Sequence, residues 1–468
     1  MGFTRLPNEI LEIIITHALP EGFESLALTC KHIYDLCAPL AAHHKELRWY
    51  FRQFKYYKTK HLVRSGLHTL LIPYSVNSAF NLIEHIAVEP SIARYIQEAD
   101  FTHDSRYTRT YDSSFPAEGV VRLLADSPYL KEAGIDWKDY WALIKGDLEA
   151  RRYSQYAAAF ILTLLPNLKV LRLPKWWKPV AAADKLIDAV IHRARRPNCS
   201  LHRVIKLTVP ILGTRFDLYW AIPFLALPCI RSFQCPTCVG EGNGHESSSS
   251  RYLRNDFKSS LEVVEMTRAS IDELAIAGLL KHAPGLKKLR YSHSTIGHAP
   301  QYWNLSQFGT AIAHAVGDHL KELSVSINID ELRGSIPPGK LSMRGFQQLQ
   351  KLELPLEIVT EEFGDSGSHL EDLVPASVSH LSLIARGTNH CAKALDAIVR
   401  QFSIKRDSQA PALKIIYLTC PRSADDSYKE QCTKLAAEAE KARVTLELTP
   451  WPEPIPAWQW GAKELLVS

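Results

Sequence analysis

Two hydrophobic patterns divide the chain. The first occupies residues 6–40. Pro7 suits the first turn of a helix, where its missing N–H would have no partner, and Glu9 sits where the helix dipole favours an acid. Behind them Ile10, Leu11, Ile13, Ile14, Ile15, Ala18 and Leu19 cover more of the helix than one core-facing stripe needs. Such a helix needs two partners, and the second is expected to be another protein. After Pro20-Glu21-Gly22, the residues Phe23, Leu26, Ala27, Cys30, Ile33, Leu36, Cys37 and Leu40 recur at three- and four-residue steps, with Pro39 expected to stop the helix.

The second pattern has six residues, apolar-x-x-apolar-x-apolar. It recurs as Leu168-Leu171-Leu173, Val204-Leu207-Val209, Ile230-Phe233-Cys235, Leu261-Val264-Met266 and Leu286-Leu289-Tyr291. It continues as Leu320-Leu323-Val325, Leu349-Leu352-Leu354, Val378-Leu381-Leu383 and Leu413-Ile416-Leu418. Earlier candidates are Leu67-Leu70-Ile72, Ile96-Ala99-Phe101 and Leu130-Ala133-Ile135. From Leu168 onward the starts lie about 25 to 36 residues apart. In a chain that is 46% hydrophobic such a pattern also arises by chance, so its setting carries the argument. Many copies follow a helix and a breaker, as in Leu164-Leu165-Pro166-Asn167-Leu168 and Lys281-His282-Ala283-Pro284-Gly285-Leu286. Helical periodicity fills the intervals at about 183–196, 271–283, 306–317, 390–403 and 426–441. A short strand followed by a helix cannot bury its apolar side alone; stacked units make one long sheet over a continuous core.

The segment from Leu6 to Leu40 resembles an F-box, the module that docks onto the Skp-type adaptor of cullin–RING ubiquitin ligases. The resemblance rests on the Leu6-Pro7-Asn8-Glu9-Ile10-Leu11 opening and the Cys30-Lys31-His32-Ile33-Tyr34-Asp35-Leu36 close. Many family members have Trp where this chain has Ile33. It implies adaptor contacts at Leu6, Pro7, Ile10, Leu11, Ile14, Cys30, Lys31 and Tyr34. The rest resembles an irregular leucine-rich-repeat solenoid, with longer and more degenerate repeats than the family consensus and without its regular asparagine. The layout is similar to that of fungal F-box proteins with degenerate leucine-rich repeats, the substrate receptors of such ligases. The expected fold class is therefore α/β of the repeat kind. An all-helical F-box would span 1–45, a basic aromatic connecting segment 46–65, the solenoid 66–450, and a cap or tail 451–468. The competing reading is a non-repetitive α/β domain.

Strand side chains alternate, so the residue between the last two apolar positions of each copy should point to the outer sheet face. In order these are Asp100, Arg172, Thr208, Gln234, Glu265, Arg290, Ser324, Glu353, Ser382 and Tyr417. The row mixes both charges with polar and aromatic groups and offers no single-sign field for nucleic acid. It suits a folded protein surface or a peptide, and the candidate target-binding positions are Asp100, Arg172, Gln234, Glu265, Arg290, Glu353 and Tyr417. Arg172 and Arg290 are the two side chains suited to pair with a phosphate on a target.

Residues 45–64 interleave Lys45, Arg48, Arg52, Lys55, Lys58, Lys60 and Arg64 with Trp49, Tyr50, Phe51, Phe54, Tyr56 and Tyr57. Single-stranded nucleic acid requires such a mixture for stacking and neutralisation. Yet Leu47, Tyr50 or Phe51, and Phe54 also make a helical stripe fit to clamp the F-box to the first repeat, and the clamp is the reading taken.

Composition narrows the function classes. A net charge of +5 and a pI near 8.6 fall short of a nucleic-acid binder's balance. No run reaches the ~18 uncharged apolar residues of a membrane span, and Glu9 and Glu12 interrupt the amino-terminal apolar run, unlike a signal peptide. Nine cysteines, an odd number without a secretory signal, are expected to be reduced thiols in the cytoplasm or nucleus. Cys235-Pro236-Thr237-Cys238 has the spacing of half a zinc site, with Cys229 and His245 nearby, but no second close pair supplies the remaining ligands, so no metal or cofactor is expected. Gly240, Gly242 and Gly244 lie in a serine-rich loop and read as a spacer. Glu361-Glu362 and Asp425-Asp426 stand at expected helix starts, where the dipole accounts for them. No catalytic constellation is present. The expected function is non-catalytic: a substrate-recognition subunit of an SCF-type E3 ubiquitin ligase, or alternatively a leucine-rich-repeat scaffold acting without ubiquitin transfer.

Overall fold

The computed structural model describes residues 6–56, 64–65, 68–69, 76–104, 118–210, 216–240, 257–294, 303–327, 343, 345–356, 373–385, 389–421 and 423–449. Among them helices alternate with parallel strands, and no helix is long and apolar enough to cross a membrane. The chain divides into two compact units, Met1–Pro210 with Pro223–Ile230, and Ile211–Ile222 with Arg231–Ser468. This division falls inside the span expected to form one repeat domain.

The first unit opens with α1 (Asn8–Ala18), α2 (Phe23–Ala27) and α3 (Lys31–Phe51), which close around Leu11, Ile15, Phe23, Ile33 and Cys37. Pro39 lies inside α3 and does not end it. An interior proline removes one helical hydrogen bond and costs about 3 kcal/mol. Burial of Ile33 and Cys37 before it, and of His44, Leu47 and Phe51 after it, carries the helix through. The expected boundary at residue 45 therefore falls within a helix.

α3 leads directly into β1 (Gln53–Lys55), where Phe51, Phe54 and Tyr56 are all buried. They form a further copy of the six-residue pattern, inside the stretch assigned to a connecting segment. β2 (Arg64–Ser65) and β3 (His68–Thr69) pair antiparallel. After α4 (Ala79–Val88) and α5 (Ser91–Tyr95), β4 (Glu98–Asp100) lies parallel to β1. Among the described residues four helices follow before the next strand: α6 (Glu118–Ala125), α7 (Pro128–Glu132), α8 (Trp137–Glu149) and α9 (Gln155–Ile161). Then β5 (Val170–Arg172), α10 (Ala181–Arg193) and β6 (Lys206–Thr208) complete a parallel ladder with Phe54, Ala99, Leu171 and Leu207 in register. The candidate Leu130-Ala133-Ile135 is not a strand. Ser127 caps α7 by accepting the Leu130 N–H, and Pro128 occupies its first turn, so helix-start chemistry overrides the apolar spacing. Leu67-Leu70-Ile72 lies outside the described residues.

In the second unit β7 (Phe216–Asp217) and β9 (Cys238–Gly240) form a short side ladder. The main ladder runs in chain order: β8 (Ser232–Pro236), β10 (Val263–Ile271), β11 (Lys288–His293), β12 (Glu322–Ile327), β13 (Lys351–Pro355), β14 (His380–Ile384), β15 (Ile415–Thr419) and β16 (Thr445–Thr449). Every neighbouring pair is parallel. Parallel neighbours need a crossover, and α11 (Glu273–Lys281), α12 (Leu305–Val316), α13 (Asn389–Gln409) and α14 (Asp426–Lys441) lie in these connections. Phe233, Val264, Leu289, Leu323, Leu352, Leu381 and Ile416 follow one another in register, and none is more than 3% exposed. Beyond α12 the backbone passes so close that a Cβ on Gly317 would lie 2.3 Å from the Gly345 carbonyl oxygen. Behind β11, His293 stacks on Trp303 at 4.1 Å and meets the Tyr291 hydroxyl at 2.9 Å; burial pushes its imidazole down to about 4.

Candidate docking surfaces

The three amino-terminal helices bury one side and leave another bare. α1 carries two apolar stripes. Leu11 and Ile15 enter the helical core, whereas Ile10 and Ile13 are 44% and 54% exposed. Leu6 is 39%, Leu28 81% and Tyr34 59% exposed, so α1, the end of α2 and the start of α3 all present uncovered apolar groups. Asn8 Oδ1 and His32 Nε2, 3.0 Å apart, tie the first turns of α1 and α3 together.

Of the residues implied as adaptor contacts, Leu6, Pro7, Ile10, Lys31 and Tyr34 are exposed, and Ile14 and Cys30 are half-buried. Leu11 is wholly buried and maintains the fold of the segment. Ile13 and Leu28 join the exposed set. For Ile13 the signal was present, because it continues the Ile10 stripe at helical spacing. Leu28 follows the five-residue α2 and shows no periodicity that would have marked it.

This segment is held firmly within the first unit. His44 Nδ1 and the Tyr95 hydroxyl lie 2.8 Å apart in the interior, and burial lowers the His44 pKa. His43 meets Glu89 at 2.6 Å, Arg94 donates to the His17 carbonyl at 2.9 Å, and Arg203 reaches both Glu21 carboxylate oxygens at 3.0 and 3.1 Å. Phe54 packs on Phe101 with ring centres 6.0 Å apart. Leu47, Phe51, Phe54 and Tyr56 thus face inward, while Trp49 is 81% exposed. Lys58, Lys60 and Tyr57 lie outside the described residues.

The second surface is the outer sheet face. In the first unit Asp100, Arg172 and Thr208 are adjacent in register, Arg172 Nη1 donates to Asp100 Oδ2 at 3.2 Å, and Thr208, expected to be solvated, is buried. In the second unit Gln234, Glu265, Arg290, Ser324, Glu353, Ser382 and Tyr417 form one continuous row. Lys55 extends the first row and Glu447 the second. The carboxylates are answered by their neighbours. Glu265 accepts from Gln234 at 2.8 Å and from Arg290 at 3.3 Å; Glu353 accepts from Ser324 at 2.5 Å and from Ser382 at 3.2 Å. Burial pushes the Glu322 carboxyl up, but Lys351 at 2.9 Å and Lys288 at 3.6 Å outweigh it and hold it below the usual range. Arg172 and Arg290, the side chains suited to a phosphate, are each already engaged by a carboxylate.

Cys235 and Cys238 are both buried, and the Cys238 thiol donates to the Cys235 carbonyl at 3.4 Å. Burial, and then the neighbouring Cys238, push the Cys235 thiol far above its ordinary value. Among the described residues no group of three or more His, Cys, Asp or Glu side chains is placed to hold a metal ion; His245 lies outside them. Asp425-Asp426 does stand at the start of α14, and Glu361-Glu362 lies outside the described residues. No protein-family model matches this chain, and no curated protein matches it.

Proposed function

We propose that the chain is a non-catalytic substrate receptor of an SCF-type ubiquitin ligase. Its α1–α3 segment serves as an F-box that binds a Skp-type adaptor, and its parallel ladders serve as a degenerate leucine-rich-repeat solenoid that holds a target protein. The observation that carries this reading is the bare apolar face of Leu6, Ile10, Ile13, Leu28 and Tyr34 on helices whose own core is complete without it. Covering such a half-exposed side chain is worth about 1 kcal/mol each, so these groups would form the apolar centre of a larger contact. The residues that resemble an F-box and the strand-by-strand register of the ladders support the same reading. The receptor performs no bond chemistry. It raises the effective concentration of a target lysine near a charged ubiquitin-conjugating enzyme and sets its orientation.

The test is binding of purified Skp-type adaptor to the full chain by calorimetry. Wild type should bind one-to-one, and Ile10→Asp with Leu28→Asp should weaken binding by about a hundredfold or more at an unchanged melting curve, since two central apolar contacts are lost. Failure of the wild type to bind, or equal binding by the double variant, removes the proposal. Adaptor bound without cullin would identify a scaffold that does not transfer ubiquitin.

A further inference from the structure

We infer that the solvent face of α3 carries a separate contact, a Lys45–Trp49–Arg52 stripe that receives an acidic segment of a protein partner. The three side chains lie at i, i+4 and i+7, on one helical face and within about 10 Å along the axis. Trp49 is 81% exposed, an unusual position for the largest apolar side chain, and Lys45 and Arg52 are exposed as well. Neighbouring charges on α3 are already spoken for: Arg48 pairs with Glu24, and Glu46 lies 3.9 Å from His43. Lys45 and Arg52 make no ion pair among the described residues. Among the described residues they are the cations this face has to spare.

The opposite side of the helix anchors the stripe. Leu47 and Phe51 are each 1% exposed, so the backbone that carries the ring and its two charges is fixed before a partner arrives. A helix carboxyl terminus favours cations and by itself would account for Arg52, but it does not account for an uncovered tryptophan between two of them. Aromatic and Arg side chains at an exposed site are the usual anchors of protein contacts, and two cations flanking the ring select for carboxylates.

Nucleic acid is the competing occupant, and the burial pattern disfavours it. Stacking along a single strand needs a succession of rings. Here Phe51 and Phe54 are 1% exposed and Tyr56 is 7% exposed, leaving Trp49 as the one freely exposed ring of the described stretch 45–56. The inference goes beyond the adaptor reading and stands without it, because the stripe shares no residue with the Leu6, Ile10, Ile13, Leu28 and Tyr34 set and is scored with its own probe.

The experiment uses the full chain, a fluorescein-labelled polyglutamate peptide and a labelled oligothymidylate, read by anisotropy over a salt series. Polyglutamate should bind, more weakly as salt rises. Lys45→Glu with Arg52→Glu should reduce its affinity by about tenfold or more, and Trp49→Ala by roughly threefold to tenfold, with melting curves unchanged. Reversing two other exposed charges, Arg195→Glu with Arg196→Glu, controls for general attraction to a cationic chain and should cost less than about twofold. Absence of polyglutamate binding, equal loss in both double reversals, or tighter binding of oligothymidylate through the same residues would overturn the inference. Loss of adaptor binding in Ile10→Asp with Leu28→Asp, with polyglutamate binding intact, would separate the two surfaces.

Discussion

The amino-terminal helices and the outer sheet face expose side chains on opposite principles. On α1–α3 several exposed groups are apolar and unanswered: Ile10, Ile13, Leu28 and Tyr34 are left largely uncovered by the described residues. On the sheet the exposed groups are polar and mostly answered by the next strand, as Glu353 is by Ser324 and Ser382. The first surface gains free energy from any well-fitting apolar partner. The second gains little from charge alone, since a partner must replace hydrogen bonds the row already makes. Affinity is therefore expected from the helices, and discrimination between partners from the sheet.

The sharpest way to break this comparison is to exchange inside for outside on α1. Leu11→Asp places a carboxylate in the helical core and should destabilise the segment by about 3–5 kcal/mol, whereas Ile10→Asp should leave it folded. Far-UV circular dichroism and limited proteolysis of both variants check this; equal melting of the two would dissolve the distinction between the stripes. The next effect is on the sheet unit and depends on acid. Because His293 is held neutral with its pKa lowered from 6.5 to about 4, the unfolded chain takes up the proton first. Its contribution is complete above about pH 6.5 and is lost as pH falls toward 4, by up to about 3 kcal/mol. Urea melts at neutral and acidic pH should show this loss in wild type and a smaller one in His293→Gln. The smallest effect lies on the polar row. Glu353→Ala should change stability by less than about 1 kcal/mol, measured by thermal melts, because half-exposed pairs trade against water. A large loss there would mean that the row holds the sheet together and is not a reserve for recognition.

Much of the ladder was legible because strand alternation is local. Each copy of the six-residue pattern from Leu168 to Leu418 is buried at its three apolar positions, and the residues placed on the outer face fall into register. The helices expected at about 183–196 and 426–441 are α10 and α14. Two elements were misread for identifiable reasons. Lys55 and the other cations around Phe51-Phe54-Tyr56 masked a strand whose neutral partners, Ala99 and Phe101, come much later in the chain. Leu130-Ala133-Ile135 had the apolar spacing, but Ser127-Pro128 begins a helix there. At the candidate site the apolar excess of α1 was plain, while Leu11 was placed among the adaptor contacts by resemblance and is wholly buried.

Periodicity by itself determined most of the strand and helix segments and which of their residues share a face, since both repeats are properties of the backbone. Only tertiary structure decided which face is covered. Leu11 turns inward because Phe23, Ile33 and Cys37 meet it there, and the same packing leaves Ile10 and Tyr34 in solvent. Burial free energy belongs to a pair of surfaces, and the second surface of each pair is supplied by residues that no local pattern brings near.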